Sequence, residues 1–257
     1  GWKAKIPSAQ PIRNGFLHTT VRGLNSYKLC DTGAEDSKPE NGSSSDEKPE
    51  AGRKMAESLR GRKGIIIGGG ASGLMAAITA AKQGASVTVL EHTARPGKKI
   101  LSTGNGKCNL TNLYMDPSCY RSDESGFEET AIRNFPPEAA IAFFRDLGVL
   151  TMDRGGYVYP MSGQAQTVLD ALLRGAKKSG VQIVTECETK RAGRKKSRFE
   201  VLTSQGTFTG DFLILACGSR AAKATGSDGS GYELAKQFGH RIITPLPALV
   251  QLRCEGD

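Results

Sequence analysis

KGIIIGGGASGLMAAITAAKQGASVTVLE, residues 63–91, reads as a short apolar strand, a glycine-rich turn, a helix and a second strand ending in an acid. Gly68, Gly70 and Gly73 stand in the G-x-G-x-x-G spacing. Gly68 lets the chain turn sharply out of the strand, Gly70 leaves room for a pyrophosphate against the backbone, and Gly73 lets the helix pack on the strand. A helix from about Ser72 turns unpaired amides and its positive dipole end toward the same place. Glu91 lies 18 residues after Gly73. A carboxylate there accepts hydrogen bonds from a ribose diol and repels a 2′-phosphate, so the motif predicts the adenosine half of FAD or NAD rather than of NADP. The competing reading is a purely structural glycine turn.

Upstream, residues 31–53 (DTGAEDSKPENGSSSDEKPEAGR) hold no Val, Ile, Leu, Met or aromatic residue. Such a segment cannot bury enough apolar surface to offset its ordering entropy. Residues 1–62 are therefore expected to be an extension and a disordered linker, with Met55 an alternative start. Residues 63–257 are expected to form the folded domain.

Downstream, a long loop is predicted to about Asp123. A helix opened by Pro136-Pro137-Glu138 follows, with a core face at Ile141, Phe144 and Leu147. GGYVYPMSGQAQ (155–166) reads as a short strand leading into a helix at Thr167–Lys178, where Val168, Leu169, Leu172 and Leu173 recur at helical spacing. A strand at Val181–Thr185 comes next. RFEVLTSQGTFTGDFLILACG (198–218) reads as three short strands with a turn at Ser204–Gly206, and a helix is predicted at about Gly231–Phe238.

Composition narrows the function classes. No apolar run approaches a membrane span. Cys30, Cys108, Cys119, Cys187, Cys217 and Cys254 include no C-x-x-C pair, and His18, His92 and His240 are scattered, which argues against a zinc site and a local dithiol. Scattered cysteines suit a reducing cytoplasm. The net charge of +9 gathers locally at Arg191, Arg194, Lys195, Lys196 and Arg198. That run reads as a solvated hairpin end. No aromatic residues interleave with it to stack on bases, so nucleic acid is a disfavoured partner.

KKILSTGNGKCNLTN, residues 98–112, combines Gly104 and Gly106 with donors at Lys98, Lys99, Thr103, Asn105 and Asn109. These suit phosphate or the edge of a flavin ring, and a solvated basic loop is the alternative. Cys108 inside it is read as a packed thiol rather than a redox partner.

In order, residues 65–91, PGKKILSTGNGKCNLTN (96–112), GGYVYPMSGQAQTVLD (155–170), GSDGSGYELAKQFGH (226–240) and PLPALVQL (245–252) resemble the bacterial predicted-flavoprotein family of NAD(P)/FAD-dependent oxidoreductases. Its branches carry names such as aminoacetone oxidase-like and 3-dehydro-bile-acid reductase-like. The resemblance runs from about Gly64 to Leu252. It implies an α/β, Rossmann-like, two-dinucleotide-binding-type FAD fold with a β-meander, truncated before the substrate domain. By position it implies that Gly68, Gly70, Ala71, Ser72 and Gly73 meet the pyrophosphate and Glu91 the ribose. Lys99, Thr103, Gly104, Gly106 and Asn109 lie along the flavin side, and Ala216 and Gly218 form the return turn. Tyr157, Tyr159 and Gln164 are implied only as pocket residues, and no catalytic acid or base is implied.

Two departures stand out. The family's A-T-G-G turn is Ala216-Cys217-Gly218-Ser219 here, and no proline precedes Thr225-Gly226. Family members also continue for about as many residues again, so residues 1–257 alone are expected to bind FAD weakly or not at all.

The expected activity is an oxidoreductase taking hydride from NAD(P)H through FAD to a small-molecule substrate. The alternatives are an NAD-dependent dehydrogenase, a flavoprotein acting on RNA, and a non-catalytic flavin-fold module.

Overall fold

A three-isoleucine run organises the molecule. Ile66 faces one hydrophobic cluster and Ile65 and Ile67 face another, because successive side chains of a strand point to opposite sides. A strand buried on both faces belongs in a parallel sheet covered from both sides. The computed structural model describes residues 59–120 and 126–246. The expectations for residues 1–58, including the linker at 31–53 and Met55, and for residues 247–257 lie outside these.

β1 (Lys63–Ile67) turns through Gly68–Gly70 into α1 (Ala71–Lys82), and β2 (Ser86–Leu90) returns beside β1. A 3-10 segment (Ile100–Gly106), β3 (Thr111–Asn112) and a short 3-10 turn (Pro117–Cys119) follow. Next come α2 (Phe127–Asn134), α3 (Pro137–Asp146) and the hairpin of β4 (Thr151–Arg154) and β5 (Tyr157–Pro160). α4 (Ala165–Lys178) leads to β6 (Gln182–Val184). β7 (Thr189–Lys195), β8 (Arg198–Thr203) and β9 (Gly206–Gly210) then carry the chain to β10 (Phe212–Leu215). α5 (Ser230–Gln237) is the last helix among the described residues.

The main sheet is parallel, in the order β10-β1-β2-β6. Ile66 pairs with Val89 on one side and Ile214 on the other. α1 and α4 cover one face: Leu74, Ile78, Val168, Leu169 and Leu172 close over Ile66 and Val89. On the other face the antiparallel meander β7-β8-β9 and α5 pack Ala192, Val201 and Leu234 against Ile65 and Ile67. A small antiparallel sheet, β3-β5-β4, stands apart. The result is a Rossmann-like α/β fold. Among the described residues, no helix is long and apolar enough to cross a membrane.

Several expectations need correction. The predicted loop to Asp123 contains the 3-10 segment and β3, and the sequence reading missed α2, β4 and β7. The basic run is not only a hairpin end, since Arg191, Arg194 and Lys195 are part of β7 itself. On α3, Phe143, Phe144 and, just beyond, Leu147 pack on the main cluster and Ala140 is buried; Ile141 is in neither set.

Candidate functional site

The carboxyl ends of β1, β2 and β10 open onto a cavity of about 710 Å3. In open parallel sheets the backbone turns at this edge are where ligands bind. Its floor is the glycine-rich turn. Gly68 adopts φ +108, a left-handed conformation that L side chains rarely take, and a Cβ there would collide with the Ala216 carbonyl. A Cβ at Gly73 would overlap the Gly68 carbonyl and stand 3.3 Å from the Ala216 methyl, so this glycine brings α1 against the strands. Gly70 differs: nothing lies within 4 Å of a Cβ built on it. Its missing side chain leaves a cradle open to the cavity.

α1 starts beside that cradle with no side-chain cap and no acid in its first turn. Its first amides have no acceptor within the helix, and the positive end of its dipole lies there.

Glu91 follows β2 directly and is 8% exposed. Oε2 accepts the Gly69 N–H at 2.7 Å, and Oε1 accepts the Thr93 N–H at 2.8 Å. The Thr93 hydroxyl lies 2.8 Å from Oε1 as well. The carboxylate thus ties the glycine-rich turn to the end of β2. Oε2 keeps a further lone pair, and the residue lines the cavity.

The loop after β2 forms a side wall. Thr103 is extended, whereas Gly104 and Asn105 both adopt φ +54, and Cys108 adopts φ +59. The Thr103 hydroxyl donates to the Ile100 carbonyl at 2.6 Å and the Cys108 N–H to the Thr103 carbonyl at 3.0 Å, fixing the turn. Cys108 is buried in the main cluster, and burial raises its thiol pKa. That matches a packed thiol.

The opposite wall is the turn after β10. The Cys217 thiol donates to the Ile67 carbonyl at 3.5 Å, and burial pushes its pKa up to about 11. Asp228 accepts the Ser230 N–H at 2.9 Å at the start of α5, and that bond holds its carboxyl below the usual range.

Of the residues expected at the site, Gly68, Gly70, Ala71, Ser72, Glu91, Lys99, Thr103, Asn109, Ala216 and Gly218 line the cavity. Gly73, Gly104 and Gly106 do not; Gly73 and Gly104 are packed against backbone instead. Tyr157, Tyr159 and Gln164 are also off the cavity, and Tyr157 is half exposed on β5. The sequence reading missed His92, Thr93, Ser227 and Asp228 as lining residues. An Asp-Gly-Ser sequence before a helix is a capping pattern, and it was the available signal for Asp228. Among the described residues, no group of three or more His, Cys, Asp and Glu could hold a metal ion.

Comparison with known proteins supplies the kinship. The chain is 45% identical over 190 residues to the 3-dehydro-bile acid delta(4,6)-reductase of Clostridium scindens, covering 73% of this chain and 46% of that protein. It is 32% identical to the ribosomal RNA dihydrouridine synthase of Haemophilus influenzae, over 72% of this chain and 47% of that one. The corresponding figures for the Escherichia coli ribosomal RNA dihydrouridine synthase are 28%, 72% and 46%. The chain thus spans about half the length of these curated relatives. The family described as the HI0933-like protein Rossmann domain matches residues 62–248, and the chain belongs to that family.

Proposed function

We propose that this chain is the FAD-binding part of a flavin-dependent oxidoreductase that takes hydride from NAD(P)H and reduces a small organic substrate. The observation that carries the reading is the contrast among the turn glycines. Gly68 and Gly73 are closed by backbone, while Gly70 opens a side-chain-sized cradle beside the uncapped start of α1. That arrangement fits a pyrophosphate, and the cavity volume falls within the roughly 300–1,000 Å3 of small-molecule sites.

In this reading Gly70, Ala71 and Ser72 hold the pyrophosphate through backbone amides, while Gly68, whose own N–H donates to the Leu90 carbonyl at 2.8 Å, shapes the turn beneath it. Gly73 acts one step back by keeping α1 close. Glu91 fixes the turn and offers the remaining lone pair of Oε2 to the ribose diol. Thr103 and Asn109, with Gly104 and Gly106 shaping their loop, orient the flavin end, Lys99 supplies a cation to the diphosphate, and Ala216 and Gly218 keep the return turn narrow. Met75, Leu110, Phe144, Val168 and Leu172 line the cavity and exclude water. FAD, when bound, supplies the two-electron chemistry that these side chains lack.

The relative at 45% identity is named as a reductase of an organic small molecule, which agrees with that substrate class. A cytoplasmic setting agrees with the free thiols of Cys108, Cys119, Cys187 and Cys217. The test is anaerobic mixing of the protein, isolated at its natural length with its flavin, with NADH and then NADPH. Loss of the flavin absorbance with at least one donor is expected. No loss with either would overturn hydride transfer from a nicotinamide.

A second reading, a flavoprotein acting on RNA, is favoured by one feature. Lys190, Arg191, Arg194, Lys195, Lys196 and Arg198 are all exposed on the β7–β8 hairpin, and two relatives are named as ribosomal RNA enzymes. It requires RNA affinity that falls steeply with salt. Salt-independent or absent binding removes it.

A further inference from the structure

Ser227 is 5% exposed, a rare degree of burial for a polar side chain in this protein. Its position is fixed from three directions. Its N–H donates to the Ala222 carbonyl at 3.2 Å and its carbonyl accepts the Ala222 N–H at 3.3 Å, closing the 222–227 loop. Its Oγ is wedged against the return turn, where a Cβ on Gly218 would come within 2.8 Å of it. The same Oγ accepts from Lys99 Nζ at 3.4 Å. Ser227, Gly218 and Lys99 come from three separate segments, and all line the cavity.

Lys99 is half-buried, and among the described residues no carboxylate lies within ion-pair distance of it. An ammonium has three donors and no acceptor. One bond to Ser227 leaves two donors for a ligand. A lysine side chain has many rotamers, and freezing one on binding weakens affinity. A buried hydroxyl that already holds the ammonium reduces that cost.

We propose that Ser227 is a positioning residue that holds the Lys99 ammonium over the cavity, ready for the diphosphate of a dinucleotide. The inference rests on the dinucleotide reading above, but not on the flavin end of it. The test is a double-mutant cycle on the protein at its natural length, freed of any dinucleotide it carries, with ADP as the probe and adenosine as the phosphate-free control, read by calorimetry. Ser227→Ala should weaken ADP about five-fold, the scale of one net hydrogen bond, and leave adenosine unchanged. In a Lys99→Met background the same change should have no further effect. Equal losses in both backgrounds, equal losses for ADP and adenosine, or no loss would overturn the proposal. If Ser227→Ala does not fold, Ser227→Cys keeps the volume, loses the strong acceptor and serves in the same cycle. Coupled ADP binding in a protein that carries no FAD would sink the flavin reading and leave this one standing. Bound FAD with an uncoupled cycle would do the reverse, and a protein that binds neither ADP nor FAD overturns both.

Discussion

Gly70 and Cys217 show how single residues divide the work at this site. Gly70 is the turn glycine whose missing side chain opens onto the cavity, with nothing within 4 Å of a built Cβ. Gly70→Val fills the proposed pyrophosphate position and disturbs no packed neighbour. The expected outcome is loss of bound flavin, seen as loss of visible absorbance, with a far-UV circular dichroism spectrum and melting curve close to wild type. A variant retaining stoichiometric flavin would refute the pyrophosphate assignment. Cys217 makes a different prediction. Burial raises its pKa from 9.0 to about 11, so the folded state favours the neutral thiol. Its contribution to stability is complete below the unfolded value near 9 and is lost as pH rises toward about 11. Denaturation followed from pH 8 to 11 should fall more steeply for wild type than for Cys217→Ser. Identical profiles would show that the thiol is not desolvated as described. At this scale the sequence was legible where a residue type has one physical use. The spacing of Gly68, Gly70 and Gly73 could be read directly. Ser227 could not, because its importance comes from burial against Gly218 and from Lys99, a residue 128 positions away.

Among the elements, α1 couples the core to the site. Leu74 is fully buried in the cluster shared with α4 and the sheet, and it does not line the cavity. Leu74→Ala should lower the unfolding free energy by about 2–5 kcal/mol, measured by urea denaturation, because it leaves a void the packed helices cannot close. A loss under about 1 kcal/mol would mean that the α1–α4 seam is loosely packed. The β1–α1–β2 unit, α4 and the β8–β9–β10 run were readable because their apolar periodicity agrees with their turn signals. β7 was not: TKRAGRK has the composition of a solvated charge run. It is a strand because its ladder with β8 buries Ala192 beside Val201, a tertiary effect that local propensity does not carry. α2 was missed for a similar reason, since FEETAIRN is short and mostly polar. The 98–108 loop resisted reading because its shape depends on left-handed residues, Asn105 and Cys108 among them, that no period announces.

At the scale of the whole molecule, the parallel sheet brings the ends of β1, β2 and β10 to one cavity, with α1 aimed into it and the meander closing the far face. The ordering of these parts accounts for the proposed dinucleotide site. That the dinucleotide is FAD is the central claim. It is tested most directly by identifying what the protein carries: purify it at its natural length, denature it, and separate the released small molecules by chromatography with visible absorbance. The account predicts FAD at close to one per chain and none from Gly70→Val. Release of NAD or NADP without flavin, or flavin retained equally by the Gly70→Val variant, would contradict it.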